Sequence, residues 1–254
     1  MALAVIVPGM TRRVDLADPK NQEYCIEMTP TAELLSIDAI SGGSIDMHHY
    51  TLDEHRHRFA VWAAGRAYSR GGSGGGYTVQ VARSMLEAAG MRNICSVKDL
   101  PAAEEIDVFI DELIQKVMGA APPTYITSKE DGDEDKKKVE LPFICTYGRA
   151  QKLVNIYLKS KLICASAGHD DPRLAKLHPP LDNELLKELD RLARKADASQ
   201  DECSFKALWK NARARGTSWT AFDKVAYDAY IAAIKARQGS QPLWAVEEHW
   251  KDET

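Results

Sequence analysis

A lysine and an aspartate, each beside the start of a predicted helix, are the side chains in this sequence best suited to covalent chemistry. Lys152 follows a turn at Gly148, and the residues from 150 to 164 carry apolar side chains at helical spacing. We expect the positive end of the helix dipole, together with burial, to disfavour a protonated amine at Lys152. A neutral lysine amine attacks carbonyl-like carbons and forms Schiff bases, so Lys152 is a candidate nucleophile.

Asp182 is the candidate partner of this lysine. It lies 30 residues further along (182 minus 152), at the end of the sequence His178-Pro-Pro-Leu-Asp182. Because two prolines stiffen the approach and a leucine-rich helical pattern follows, we expect the carboxylate to cap a helix while facing a cleft. Together the two residues suggest a nucleophile and its electrostatic partner.

This arrangement resembles the helix-hairpin-helix superfamily of DNA glycosylases, and most of all the 8-oxoguanine glycosylases, including their archaeal branch. Members of that family have a hairpin that ends in glycine, a lysine at the start of the next helix and a downstream Pro-x-Asp. By motif, Gly148 matches the hairpin glycine, Lys152 the lysine, and Pro180-Leu181-Asp182 the Pro-x-Asp. The resemblance is confined to this segment and its helical setting, and the usual Gly-x-Gly hairpin has a single glycine here.

The resemblance implies a DNA glycosylase that uses a Schiff base, with or without AP lyase activity, and needs no metal or cofactor. Lys152 would attack the sugar C1′, while Asp182 would help to deprotonate the lysine and stabilise the developing sugar cation. The implied partner is DNA from which a damaged or modified base is extruded, either 8-oxoguanine or a modified base of a phage genome. We also expect Tyr147, Gly148 and Arg149 to contact DNA phosphate, because a helix N-terminus offers unpaired N–H groups to an anion.

The remainder of the sequence predicts an all-α protein with a single globular helical domain of helix-hairpin-helix glycosylase architecture. Residues 1–50 are predicted to be irregular, and residues 51–254 to form the helical domain. Residues 122–140 mix charges without an apolar period, so we expect an exposed loop there and no strand. The glycine run 71–76 is predicted to be a connector.

Composition narrows the function classes further. The sequence contains no apolar run long enough to cross a bilayer, and its five scattered cysteines form no C-x-x-C pair. We therefore expect reduced thiols in a cytoplasmic protein, with no metal centre and no membrane partner, and we expect a monomer. The net charge is −4, so nucleic acid could be bound only through a local basic face.

Two alternatives remain open at this stage. Arg173 and His178 have the spacing of the HEPN ribonuclease signature, although Pro179 and Pro180 would end the helix that this signature requires. The chain could also be a non-enzymatic helical interaction module that binds through its leucine stripe between residues 185 and 192. The simpler interpretation of that stripe is that it packs in the core.

Overall fold

The described part of the chain is mostly helical, which confirms the predicted class. A computed structural model describes residues 50–68, 76–129, 137–165, 170–195 and 200–249, all of which belong to one compact unit, His49–Thr254. The predicted irregular segment up to residue 49 and the glycine connector 71–75 lie outside these ranges. The α-helices are α1 (Leu52–Arg66), α2 (Val79–Ala88), α3 (Ile106–Gly119), α4 (Tyr147–Leu158), α5 (Pro172–Ala175), α6 (Asn183–Lys195), α7 (Gln200–Arg215) and α8 (Lys224–Gln238).

Shorter helical segments join or extend these helices. A π-helical turn at Lys159–Ile163 continues α4. The 3₁₀ segments are Met91–Asn93, Val97–Asp99, Ala103–Glu105, Trp219–Ala221 and Leu243–His249.

Side-chain caps fix several helix starts. The Thr78 hydroxyl accepts from the Val81 N–H at 3.1 Å, and one Asp182 carboxylate oxygen accepts from the Leu185 N–H at 3.1 Å. These contacts satisfy N–H groups that a helix start leaves without intrahelical partners. The last long helix begins at Lys224, because the Asp223 carboxylate caps it by accepting from the Ala226 N–H.

The prediction of an exposed loop without strands at residues 122–140 was wrong in part. β1 (Thr124–Lys129) pairs antiparallel with β2 (Lys137–Pro142), with Thr124 opposite Pro142 and Lys129 opposite Lys137. Tyr125 packs against the core, whereas its neighbour Ile126 is 70% exposed. Because inward and outward positions both carry apolar side chains, the sequence shows no apolar–polar alternation. Residues 130–136 lie outside the described ranges.

Helix α4 runs through the middle of the helical body. It packs against α1, α3 and α8, and ten of its twelve residues are buried. Three of those buried residues, Gln151, Lys152 and Asn155, are polar. Buried polar groups cost free energy unless they find partners, so the surroundings of these three side chains are informative about function.

Candidate active site

Lys152 and Asp182 come together in the folded chain. The Lys152 Nζ on α4 lies 3.3 Å from the Oδ2 of Asp182, the residue that caps α6. The Lys152 side chain is 10% exposed and the Asp182 side chain 20% exposed. The two groups therefore form an ion pair at the edge of the core that keeps limited access to solvent.

Aromatic rings enclose the lysine amine on its other sides. The Nζ lies 4.6 Å from the centre of the Trp219 ring and 5.9 Å from that of Tyr68. Tyr68 in turn stacks on Tyr77 with ring centres 4.4 Å apart. No pattern in the sequence indicated these two neighbours, because Tyr68 and Trp219 are both far from Lys152 along the chain.

Lys152 lies deeper in its helix than the sequence suggested. Helix α4 begins at Tyr147 rather than at Ala150, since the Thr146 hydroxyl caps it by accepting from the Arg149 N–H at 3.2 Å. Lys152 is thus in the second turn, and the effect of the helix dipole falls off within the first. Burial and the aromatic neighbours, rather than the dipole, define the environment of the amine.

The expected phosphate contacts at Gly148 and Tyr147 do not fit this conformation. The Gly148 N–H donates to the Phe222 carbonyl at 3.0 Å. A Cβ at Gly148 would overlap the Trp219 carbonyl oxygen, so the glycine serves close packing rather than a turn. Tyr147 is 4% exposed, and its hydroxyl donates to the Asp111 carboxylate at 2.8 Å. The Gly148 N–H and the Tyr147 hydroxyl are therefore already bonded within the protein.

Arg149 is the member of that group that keeps a partly exposed side chain. Its guanidinium donates to the Ile144 carbonyl at 3.1 Å and lies 5.5 Å from the centre of the Tyr77 ring. The side chain is therefore already held against the protein at the start of α4. A phosphate contact here would use the remaining donors of the guanidinium.

The buried amide of Gln151 fixes the position of the residue that precedes Asp182. Its Nε2 donates to the Leu181 carbonyl at 2.8 Å, and its Oε1 accepts from the Leu181 N–H at 3.2 Å. Asn155, one turn further along α4, donates to the Pro179 carbonyl at 3.3 Å. The helix that carries Lys152 thus also holds the segment that carries Asp182. No pattern in the sequence indicated this role for the two amides.

His178 anchors the same segment to two other helices. Its Nδ1 lies 2.8 Å from the Tyr227 hydroxyl on α8, and its Nε2 lies 2.9 Å from Asp107 Oδ1 on α3. Burial lowers the pKa of His178, while hydrogen bonds from His178 and Lys235 hold the pKa of Asp107 well below its usual range. His178 is consequently a structural link between helices.

The arrangement that a HEPN ribonuclease requires does not form. Helix α5 ends at Ala175, so Arg173 and His178 do not share a helix. Both carboxylate oxygens of Asp171 accept from Arg173, at 2.9 and 2.7 Å. His178 is bound in the core instead of facing a groove.

The leucine stripe of the interaction-module alternative faces inward. Leu185, Leu186 and Leu189 are at most 8% exposed and belong to the core. Leu192, the remaining leucine of the stripe, is partly buried and packs against the same core.

A second carboxyl group lies near Asp182 on the C-terminal 3₁₀ segment. Glu247 pairs with Lys159, and burial raises the pKa of this carboxyl group. Lys159 lies seven residues after Lys152, at the first position of the π-helical turn that continues α4. Lys159 is the ion-pair partner of Glu247, and Lys152 is the ion-pair partner of Asp182.

Comparisons with known proteins add no relative: the chain matches no protein-family model, no curated protein and no solved structure. Within the described ranges, no group of three or more histidine, cysteine or acidic side chains is placed to hold a metal ion. None of the described helices is long and apolar enough to cross a membrane. The functional interpretation therefore depends on the geometry of the site.

Proposed function

We propose that this protein is a DNA glycosylase that excises a damaged or modified base through a Schiff base on Lys152. The observation that carries the proposal is the 3.3 Å contact between the Lys152 amine and the Asp182 carboxylate in a largely enclosed position. Lysine is a nucleophile toward the sugar C1′, and a carboxylate beside it suits a reaction in which positive charge develops on the sugar. The resemblance to the 8-oxoguanine glycosylases assigns the same roles to the same two residues.

In the proposed reaction, the Lys152 amine first transfers a proton to Asp182 and then attacks C1′ of an extruded nucleotide. The bond between C1′ and the base nitrogen breaks, and its electron pair leaves with the base, which takes up the proton held by Asp182. As this proton leaves, Asp182 regains the negative charge that stabilises the positive charge on the sugar, an effect that is large in a site shielded from water. The attached nitrogen then passes one of its two protons to the ring oxygen, and the bond between C1′ and that oxygen breaks, giving a protonated imine.

The proposal includes a helix-hairpin-helix architecture in which α3 and α4 are the two helices. Helix α3 is followed by the hairpin of β1 and β2 and then by α4, which carries Lys152. The family's tight glycine hairpin is replaced here by a two-stranded ribbon. The substrate in this proposal is 8-oxoguanine or a modified base of a phage genome, and the enzyme acts on DNA as a monomer without metal or cofactor.

The proposal is tested with duplex oligonucleotides that each carry one base from a panel of oxidised, alkylated and enzymatically modified bases. We expect the wild-type protein to release at least one of them, as measured by chromatography of the free base. Lys152→Arg keeps the positive charge beside Asp182 but cannot form a Schiff base, so it should release none. Asp182→Asn retains helix capping and should slow release by roughly 10²–10³-fold.

Two results would count against the proposal. Base release that persists in Lys152→Arg would show that the lysine is not the nucleophile. Failure of the wild-type protein to release any base in the panel, together with no measurable binding to the oligonucleotides, would remove the glycosylase assignment.

A further inference from the structure

The Trp219 ring lies closer to the Lys152 amine than the Tyr68 ring does. The Lys152 Nζ is 4.6 Å from the centre of the Trp219 ring and 5.9 Å from that of Tyr68. A cation within about 6 Å of a ring centre is attracted by the negative face of the ring, and most strongly by tryptophan. Because Trp219 is 9% exposed and the Lys152 side chain 10% exposed, water screens this attraction only weakly.

The ion pair with Asp182 does not by itself fix the direction of the Lys152 side chain. A lysine amine is carried on a flexible aliphatic stem. The 3.3 Å between the Lys152 Nζ and the Asp182 carboxylate oxygen is slightly longer than most N–H···O hydrogen bonds, which measure about 2.7–3.2 Å. The attraction to the Trp219 ring acts on the same amine as a second contact, and it restricts the movement that the ion pair allows.

Helix α4, which carries Lys152, also holds the segment that carries the indole. The 3₁₀ segment Trp219–Ala221 joins α7 to α8 and packs against α4. The Thr146 hydroxyl donates to the Thr220 carbonyl at 2.6 Å. The Gly148 N–H donates to the Phe222 carbonyl at 3.0 Å. The amine and the ring face are therefore both positioned by the same helix.

Three further aromatic rings pack in series beside Trp219. The Tyr68 ring centre lies 5.8 Å from that of Trp219, the Tyr77 ring stacks on Tyr68 at 4.4 Å, and Phe143 lies 4.5 Å from Tyr77. The Tyr68 hydroxyl donates to the Arg149 carbonyl on α4. Trp219 thus packs against a buried cluster that is itself bonded to α4, which limits the freedom of the indole.

We propose that Trp219 is a positioning residue whose ring face holds the Lys152 amine beside Asp182, in the direction from which it attacks C1′. This inference rests on the proposed glycosylase function and adds a third residue to its site. The lysine nitrogen is positively charged before its proton leaves and again once it has bonded to C1′. The ring therefore attracts the nitrogen at both ends of this step, and its net effect is to fix the approach of the amine.

The test compares two substitutions of Trp219 in the full chain. Trp219→Leu removes the ring face and Trp219→Phe keeps one, while both remove volume from the core and should lower the melting temperature. We expect the single-turnover rate of base release to fall by about five- to thirtyfold in Trp219→Leu and to stay within about threefold of wild type in Trp219→Phe. Affinity for duplex DNA should not change. Trp62→Leu, which removes a half-exposed indole from α1, is the control.

A second measurement follows the Lys152 amine without DNA. The protein is treated with formaldehyde and cyanoborohydride, and the methylation rate of each lysine is read by mass spectrometry after digestion. We expect Lys152 to be methylated faster in Trp219→Leu than in the wild type or Trp219→Phe, because the amine is no longer held against a ring. Lys159, in the π-helical turn that follows α4, is the internal reference.

Equal loss of base release in Trp219→Leu and Trp219→Phe, or wild-type release in both, would overturn this inference. The methylation rates separate it from the proposed function. If the wild type releases no base but Lys152 is methylated faster only in Trp219→Leu, the glycosylase assignment fails and the ring still holds the amine. If base release and methylation in Trp219→Leu both match the wild type, the role of Trp219 fails and the glycosylase assignment stands.

Discussion

At the scale of single residues, the contact between Lys152 and Asp182 gives this protein its most specific chemical feature. The contact is largely enclosed, so removing one partner leaves the other charge poorly solvated. For a fully buried pair, such a removal lowers the free energy of unfolding by about 3–5 kcal/mol. A neutral substitution of Lys152 would therefore mix a stability effect with a chemical one. Lys152→Arg separates them, because arginine keeps the charge and cannot act as an amine nucleophile.

The sequence assigns Gly148 to a hairpin turn, whereas in the structure its lack of a side chain allows close packing against Trp219. We expect Gly148→Ala to lower the free energy of unfolding by about 1–3 kcal/mol, because the new methyl group would overlap the Trp219 carbonyl oxygen. Urea denaturation measures the change. Gly119→Ala is the matched control, since no atom lies within 4 Å of a Cβ there.

Alanine is favoured over glycine in a helix, so the control should be neutral or more stable by up to about 1 kcal/mol. Equal stability of the two variants would show that the close approach of Gly148 to Trp219 is not a constraint on the fold.

At the scale of elements, helix α4 contributes to the positions of both residues of the candidate site. It carries Lys152, and through Gln151 and Asn155 it holds the segment that leads into α6. The positions of Lys152 and Asp182 therefore both depend on α4. Hydrogen bonds from this helix fix the distance between the two side chains more firmly than packing between two independent helices would.

Gln151→Leu tests this positioning role. The variant leaves the buried N–H and carbonyl of Leu181 without partners, each worth about 1–3 kcal/mol, so Asp182 should shift relative to Lys152. We expect the single-turnover rate of base release to fall by about tenfold or more while affinity for duplex DNA stays unchanged. Gln115→Leu removes an exposed amide from α3 and serves as the control.

Gln151 would be merely structural if its variant melted at a lower temperature but released base at the wild-type rate below the melting transition. A rate change of the same size in Gln115→Leu would likewise exclude a specific role.

The elements also show what the sequence could and could not predict. Amphipathic periodicity and threonine or aspartate caps identified most helices, and the motif around Lys152 and Asp182 identified two residues that meet. The strands β1 and β2 were missed because Tyr125 and Ile126 are both apolar although one faces the core and the other solvent. The position of Lys152 within α4 was misjudged because the cap at Thr146 lies before the apolar pattern begins.

At the scale of the whole molecule, the distribution of charge matters more than its total. Because the net charge is −4, the chain could bind DNA only through a local basic surface. The sequence does not show where such a surface would lie. Arg58, for example, is an exposed basic side chain that pairs with Glu54, to which it donates at 2.5 Å.

Sodium borohydride trapping tests the central claim most directly. A glycosylase that forms a Schiff base is reduced onto its DNA, and mass spectrometry of the digested adduct locates the modified lysine. We predict one adduct on Lys152, which Lys152→Arg abolishes, whereas Lys159→Arg, in the π-helical turn that follows α4, traps DNA like the wild type. An adduct on another lysine, or trapping that persists undiminished in Lys152→Arg, would contradict the role of Lys152 as the nucleophile.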